Sequence, residues 1–134
     1  MPGYSGTPLP KKLGIRDGFR VRLVEMPPEV TKELKETLDR CQFASDSKLP
    51  LDFAHIFAKS QARLLKEFPR LTKQLAPAGM IWVSWPKKSS GVQTDVDEHM
   101  VREIGLDTGL VDVKVCAVTE VWSGLKFVRR VKDR

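Results

Sequence analysis

The string Lys87-Lys88-Ser89-Ser90-Gly91 is the densest group of anion-holding side chains in the sequence. Two ammonium groups and two hydroxyls would stand there beside the unpaired amide N–H groups of a helix expected to start at Thr94. Together they could grip a phosphate or a carboxylate. Trp85, two residues before the lysine pair, could stack on a base or wall a pocket. Glu25 closes the first expected strand and could meet a ligand hydroxyl at the same rim. Asp95, Asp97 and Glu98 weigh the other way, because they already complement the positive helix end and would repel an anion. A solvated polar loop would have the same composition, and Glu25 also reads as an ordinary surface carboxylate.

The other reactive side chains stand alone. His55 lies in an apolar run and reads as a core or edge residue, and His99 reads as an exposed helical residue. Neither has cysteine or carboxylate neighbours at metal-ligand spacing, so no metal is expected. Cys41 and Cys116 read as small buried hydrophobes, with a catalytic cysteine–histidine pair as the remote alternative. No Walker A, G-x-G-x-x-G or H-E-x-x-H string is present.

The elements that must carry these groups follow from periodicity. Residues 7–14 predict a short helix, with Thr7 as cap, Pro8 in its first position and Gly14 as its stop. Phe19, Val21 and Leu23 alternate in a strand over 19–25, and Val24 suggests cover on the other face as well. Pro27-Pro28 opens a helix in which Val30, Leu34 and Leu38 form one stripe, and residues 42–50 read as a linker. Leu51 to Ala58 is almost wholly apolar, as a strand covered on both faces would be. A helix follows from Ser60, kinked or restarted at Pro69, then a break at Pro77-Ala78-Gly79 and a strand over 80–85. After the 86–93 loop, a helix from Thr94 (with Asp97 completing a capping box) ends at Gly105 or Gly109. Val111, Val113, Val115 and Ala117 predict the inward face of a fourth strand. A turn at Thr119-Glu120 leads to a fifth strand over 122–131, with Leu125 and Phe127 inward and a bulge at Ser123-Gly124.

Strands alternating with helices demand parallel pairing through right-handed crossovers. The expected architecture is a three-layer, Rossmann-like α/β domain spanning residues 1–134, with 1–18 as an N-terminal segment packed on it. It has three parallel strands and a closing antiparallel hairpin. In such sheets ligands sit beyond the carboxyl ends of the strands, which is where the lysine–serine loop would fall.

The 134-residue chain is 41% hydrophobic and 30% charged, which suits one folded domain and excludes wholesale disorder. No apolar run is long enough to span a bilayer and no secretory signal is apparent, so a cytoplasmic protein with reduced thiols is expected. The net charge is +6 and is unevenly placed: residues 1–22 and 126–134 carry +4 each, and residues 23–125 carry −2. Basic ends are either a footprint for nucleic acid or solvated tails, and no known nucleic-acid-binding signature accompanies them.

Two resemblances add to this reading. Leu51-Asp52-Phe53-Ala54-His55-Ile56-Phe57, with Leu75-Ala76-Pro77-Ala78-Gly79-Met80-Ile81-Trp82-Val83 after a helix, resembles the fourth and fifth strands of class I methyltransferases. The closing hairpin resembles that family's last two strands. The resemblance implies a strand order of 1-2-3-5-4. Where that family carries a G-x-G turn for S-adenosylmethionine, this chain has Glu25-Met26-Pro27-Pro28, so no cofactor is expected. Gly3-Tyr4-Ser5-Gly6-Thr7-Pro8-Leu9, Trp85-Pro86-Lys87-Lys88-Ser89-Ser90-Gly91 and Trp122-Ser123-Gly124-Leu125 resemble a family of small bacterial proteins of unknown function.

The resulting expectation is a non-catalytic binding or regulatory module for an anionic small molecule or a protein partner. Its site would comprise Glu25, Trp85, Lys87, Lys88, Ser89, Ser90, Gly91 and Thr94. The alternatives are a degenerate methyltransferase-like enzyme, or a protein that associates with nucleic acid through its basic ends.

Overall fold

The structure is a computed structural model that describes residues 7–44 and 48–134. The glycines and tyrosine of the Gly3–Gly6 string lie outside the described residues. Ten elements follow one another: α1 (Leu9–Leu13), β1 (Arg20–Val24), α2 (Pro28–Leu38), β2 (Gln42–Phe43), β3 (Leu51–Phe57), α3 (Gln61–Gln74), β4 (Leu75–Pro86), α4 (Glu98–Asp107), β5 (Leu110–Ala117) and β6 (Trp122–Arg129). Short 3₁₀ turns occupy Lys88–Ser90 and Val131–Asp133.

The sheet order is β2-β1-β3-β4-β6-β5. The first four of these strands are parallel, and β6 runs antiparallel to both β4 and β5. The five long strands thus stand in the expected 1-2-3-5-4 order. The chain adds a fourth parallel strand inside the expected linker, because Gln42 and Phe43 pair with Arg20 and Val21. Two exposed residues carry no hydrophobic period, so only the backbone bonds, Gln42 N to Phe19 O and Ala44 N to Val21 O, reveal it.

Both faces of the sheet are covered. Leu9, Leu13, Val30 and Leu34 pack with Val21, Phe53 and Trp82 on one side. Leu64, Phe68 and Val101 pack with Ile56, Ile81, Val83 and Leu125 on the other. β3 faces both cores, which is why nearly all of Leu51–Phe57 is apolar and buried. The buried Trp82 Nε1 donates to Leu13 O at 2.8 Å and so fastens α1 to the sheet.

Several local expectations are corrected. Pro8 caps α1 in place of Thr7. Pro69 lies within an unbroken α3, on its exposed side, where water can reach the carbonyl its ring leaves unbonded. β4 starts at Leu75 with no intervening loop, and Gly79 allows this: a Cβ there would stand 2.6 Å from Leu51 O. α4 begins at Glu98, not Thr94, because Asp97 is the cap and accepts from Met100 N at 2.9 Å. Gly105 sits inside α4, not at its end. Val113 and Val115 are 54% and 50% exposed, since β5 is an edge strand whose register slips between Asp112 and Lys114. That slip is the hairpin's irregularity; Ser123 and Gly124 pair regularly with Trp85 and Ser84. The hairpin turn stands at Thr119-Glu120, where Val118 N and Thr119 N both donate to Trp122 O.

Candidate functional site

From β1 the chain first moves outward to β2 and then crosses back to β3, so the strand order reverses between β1 and β3. At such a switch point the connecting loops part and leave a crevice beyond the carboxyl ends of the strands. A cleft of about 680 Å³ opens there. The β1–α2 turn forms one wall with Glu25, Met26, Pro27 and Pro28. The β3–α3 connection forms the other with Lys59, Ser60 and Arg63, and Phe57 and Trp122 supply apolar surface. Those two rings meet edge-to-face, with centroids 5.2 Å apart.

Local structure places each charged group. Ser60 caps α3 by accepting from Arg63 N at 3.2 Å, which sets Arg63 in the first turn beside the cleft. Arg63 Nη2 meets Glu25 Oε1 at 3.1 Å across the crevice. Both side chains are substantially exposed, so this pair contributes less than about 1 kcal/mol and opens easily. Glu25 has φ +58°, in the left-handed region that costs a non-glycine residue roughly 1–2 kcal/mol. Glycine tolerates that conformation and alanine does not. Glu25→Gly is therefore expected to be more stable than Glu25→Ala by about 1 kcal/mol in urea denaturation, although both lose the carboxylate.

The start of α2 offers little to an anion. Pro27 caps it, Pro28 has no N–H, and Val30 N is already bonded to Pro27 O. Glu29 adds a negative charge in the same turn. The charged lining is balanced, with Glu25 and Glu29 against Lys59 and Arg63.

Of the residues expected to form a site, Glu25 alone lines this cleft. Trp85 is buried in the core under α3 and α4, so it presents no stacking surface. Lys87 N donates to Val121 O at 2.8 Å, which ties the loop to the β5–β6 hairpin. Ser90 Oγ donates to Lys87 O at 2.6 Å and accepts from Val92 N, so its hydroxyl serves the turn. Lys88, Ser89 and Gly91 are exposed outside the lining. Thr94 Oγ1 donates to Lys59 O at 2.7 Å, and Asp95 Oδ1 accepts from Gln61 N at 2.8 Å. The 86–97 loop therefore braces the β3–α3 wall, and it reaches the cleft through Val92. Arg63, Lys59, Phe57 and Trp122 were not apparent from the sequence. The signal for them was the switch-point rule applied to β1 and β3, which needs the position of β2.

Behind the cleft wall lies the one buried histidine. His55 stacks on Phe57 at 4.2 Å, and its Nε2 is 2.7 Å from Ser84 Oγ. Burial lowers its pKa from 6.5 to about 3, so it is neutral near pH 7. His99 is exposed on α4 beside Glu103. Cys41 and Cys116 are free thiols, and burial pushes both pKa values up.

A doubly covered, mainly parallel sheet with this closing hairpin is the Rossmann-like fold of the class I methyltransferases. Solved structures that share it include magnesium protoporphyrin IX methyltransferase from Synechocystis with bound S-adenosylhomocysteine (12% identity, 90% of this chain and 78% of that one, TM-score 0.58). A precorrin-6y C5,15-methyltransferase from Geobacter metallireducens is similar (12% identity, 91% and 86%, TM-score 0.57). So is the 1,6-didemethyltoxoflavin-N1-methyltransferase of Burkholderia thailandensis with bound S-adenosylhomocysteine (12% identity, 90% and 74%, TM-score 0.58). No family model matches the chain, so the resemblance to a small bacterial family rests on its motif strings alone, and no curated protein matches its sequence. The leading expectation of a non-catalytic binding or regulatory module is corrected by these likenesses, since all three of these solved structures that share the fold are of methyltransferases. Among the described residues, no helix is long and apolar enough to cross a membrane.

Proposed function

We propose that this chain is a small methyltransferase-type enzyme whose β1–β3 cleft binds S-adenosylmethionine without a glycine-rich turn. The observation that carries this reading is the charge balance of the cleft, at the switch point of a fold shared with proteins that hold S-adenosylhomocysteine. Such a cofactor joins an α-amino group, an α-carboxylate and ribose hydroxyls, and has no phosphate. A cleft with two carboxylates and two cations fits that set, whereas an α2 start blocked by Pro27 and Pro28 does not fit a phosphate.

Bound, the cofactor supplies an electrophilic methyl group on a sulfonium. Arg63 and Lys59 are the groups to hold its carboxylate, and Glu25 and Glu29 to take its ammonium or hydroxyls. Phe57 and Trp122, both almost fully buried, give the cleft an apolar floor that keeps water from the bound methyl group. The weak Glu25–Arg63 pair is exchanged for ligand contacts at little cost. Free thiols at Cys41 and Cys116 suit a reducing cytoplasm.

Calorimetric titration with S-adenosylmethionine, S-adenosylhomocysteine and ATP tests the reading. The first two are expected to bind saturably, adding ~2.7 kcal/mol of stability at 100 times the dissociation constant. Arg63→Ala should weaken both roughly tenfold or more, by losing a hydrogen bond between charged groups worth ~1.5–3 kcal/mol. Absence of binding, or ATP binding as tightly, would refute it.

A further inference from the structure

A second trough, of about 510 Å³, lies between α1 and the edge strand β5 and shares no lining residue with the cleft. Lys11, Lys12 and Lys114 line it, and no acidic residue does among the described residues. The fold draws these groups together from the two ends of the chain. Lys12 Nζ donates to Ala117 O at 2.8 Å, and Lys114 Nζ donates to Lys12 O at 2.8 Å, which straps α1 to β5.

Lys126 stands directly across the sheet from Lys114. Its ammonium also approaches the end of α1, 3.7 Å from where a Cβ on Gly14 would lie. Like charges directly opposite on neighbouring strands destabilise a sheet. Burial, and then the charge of Lys114, lower the Lys126 pKa. Lys126 thus adds positive charge beside the trough at an energetic cost, and among the described residues no carboxylate lines the trough.

The shape and chemistry limit the occupant. Among the described residues no aromatic side chain lines the trough, so none of them stacks on a base there. Lysines act as point charges without the bidentate geometry of arginine. Recognition by charge alone suits a ligand whose phosphates repeat, because affinity then adds over several contacts. We propose that this trough binds the phosphate backbone of a nucleic-acid strand, without sequence preference, through Lys11, Lys12, Lys114 and Lys126.

Fluorescence anisotropy of a labelled oligouridylate, titrated with the intact chain over a range of sodium chloride, tests this. The logarithm of the association constant should fall linearly with log salt. Lys11→Gln should reduce the slope by ~0.7, and Lys11→Gln with Lys114→Gln by ~1.4, one phosphate contact each. Lys11 makes no strap bond, so the single variant still decides the matter if loss of Lys114 loosens α1. A Lys132→Gln, Arg134→Gln variant of the basic tail should leave the slope nearly unchanged. An unchanged slope in the Lys11 variants, or an equal loss in the tail variant, overturns the assignment. Inorganic tripolyphosphate displacing the strand at equal phosphate concentration overturns the nucleic acid as occupant.

Discussion

Between pH 6.5 and 5 the folded chain is expected to lose roughly 1.5–2 kcal/mol of stability through His55 alone. The imidazole is fully buried among Phe53, Phe57 and Trp82. Its Nε2 meets Ser84 Oγ, and its Nδ1 has no partner among the described residues. No carboxylate among the described residues reaches it to compensate a charge, and burial holds its pKa at about 3. The unfolded chain exposes the same ring, with a pKa near 6.5. Below pH 6.5 the unfolded state therefore binds a proton that the folded state refuses, and stability falls as pH falls. The loss approaches about 1.4 kcal/mol per pH unit and ends only near the folded value of about 3. Urea denaturation from pH 7.5 to 5 measures it, above the range where most carboxylates titrate. His55→Phe with Ser84→Ala, which removes the imidazole and the hydroxyl it would leave unpaired, should flatten the curve over that window. A double variant that keeps the wild-type slope would show that another group carries the effect.

Gly105→Val is expected to destabilise the chain by roughly 3 kcal/mol, at the upper end of overpacking costs. Gly105 is buried in α4, and a Cβ built on it would overlap the ring of Phe127. That ring is fully buried and lies edge-to-face against Phe68, with centroids 5.4 Å apart, so it has no free space to retreat into. A side chain in place of glycine regains less than ~1 kcal/mol of helix propensity, which the overlap outweighs. The same variant with Phe127→Leu should recover at least ~1 kcal/mol relative to the sum of the two single changes, because the sites share one volume. Additive losses would show that α4 shifts away from β6 instead.

The helix stripes and long strands were legible because burial repeats with period. Val30, Leu34 and Leu38 are buried as spaced, and Leu51–Phe57 is apolar throughout because β3 faces two cores. The candidate site was legible only at Glu25. Lys87, Lys88, Ser89 and Ser90 looked like an anion grip because their chemistry was local. Yet Lys87 N and Ser90 Oγ are taken up by the turn, and Thr94 and Asp95 hold the opposite wall.

Hydrophobic spacing settled the parallel sheet and its hairpin, because a strand or helix advertises its buried face residue by residue. The cleft is a different kind of object. It arises because Gln42 and Phe43 pair outside β1, which reverses the winding and parts the loops that carry Glu25 and Arg63. The backbone hydrogen bonds of a two-residue exposed strand leave no trace in side-chain periodicity. Likewise, the approach of Lys12 to Lys114 across most of the chain depends on where α1 docks. Contacts between distant segments are decided by the folded packing of the whole chain, which no local pattern encodes.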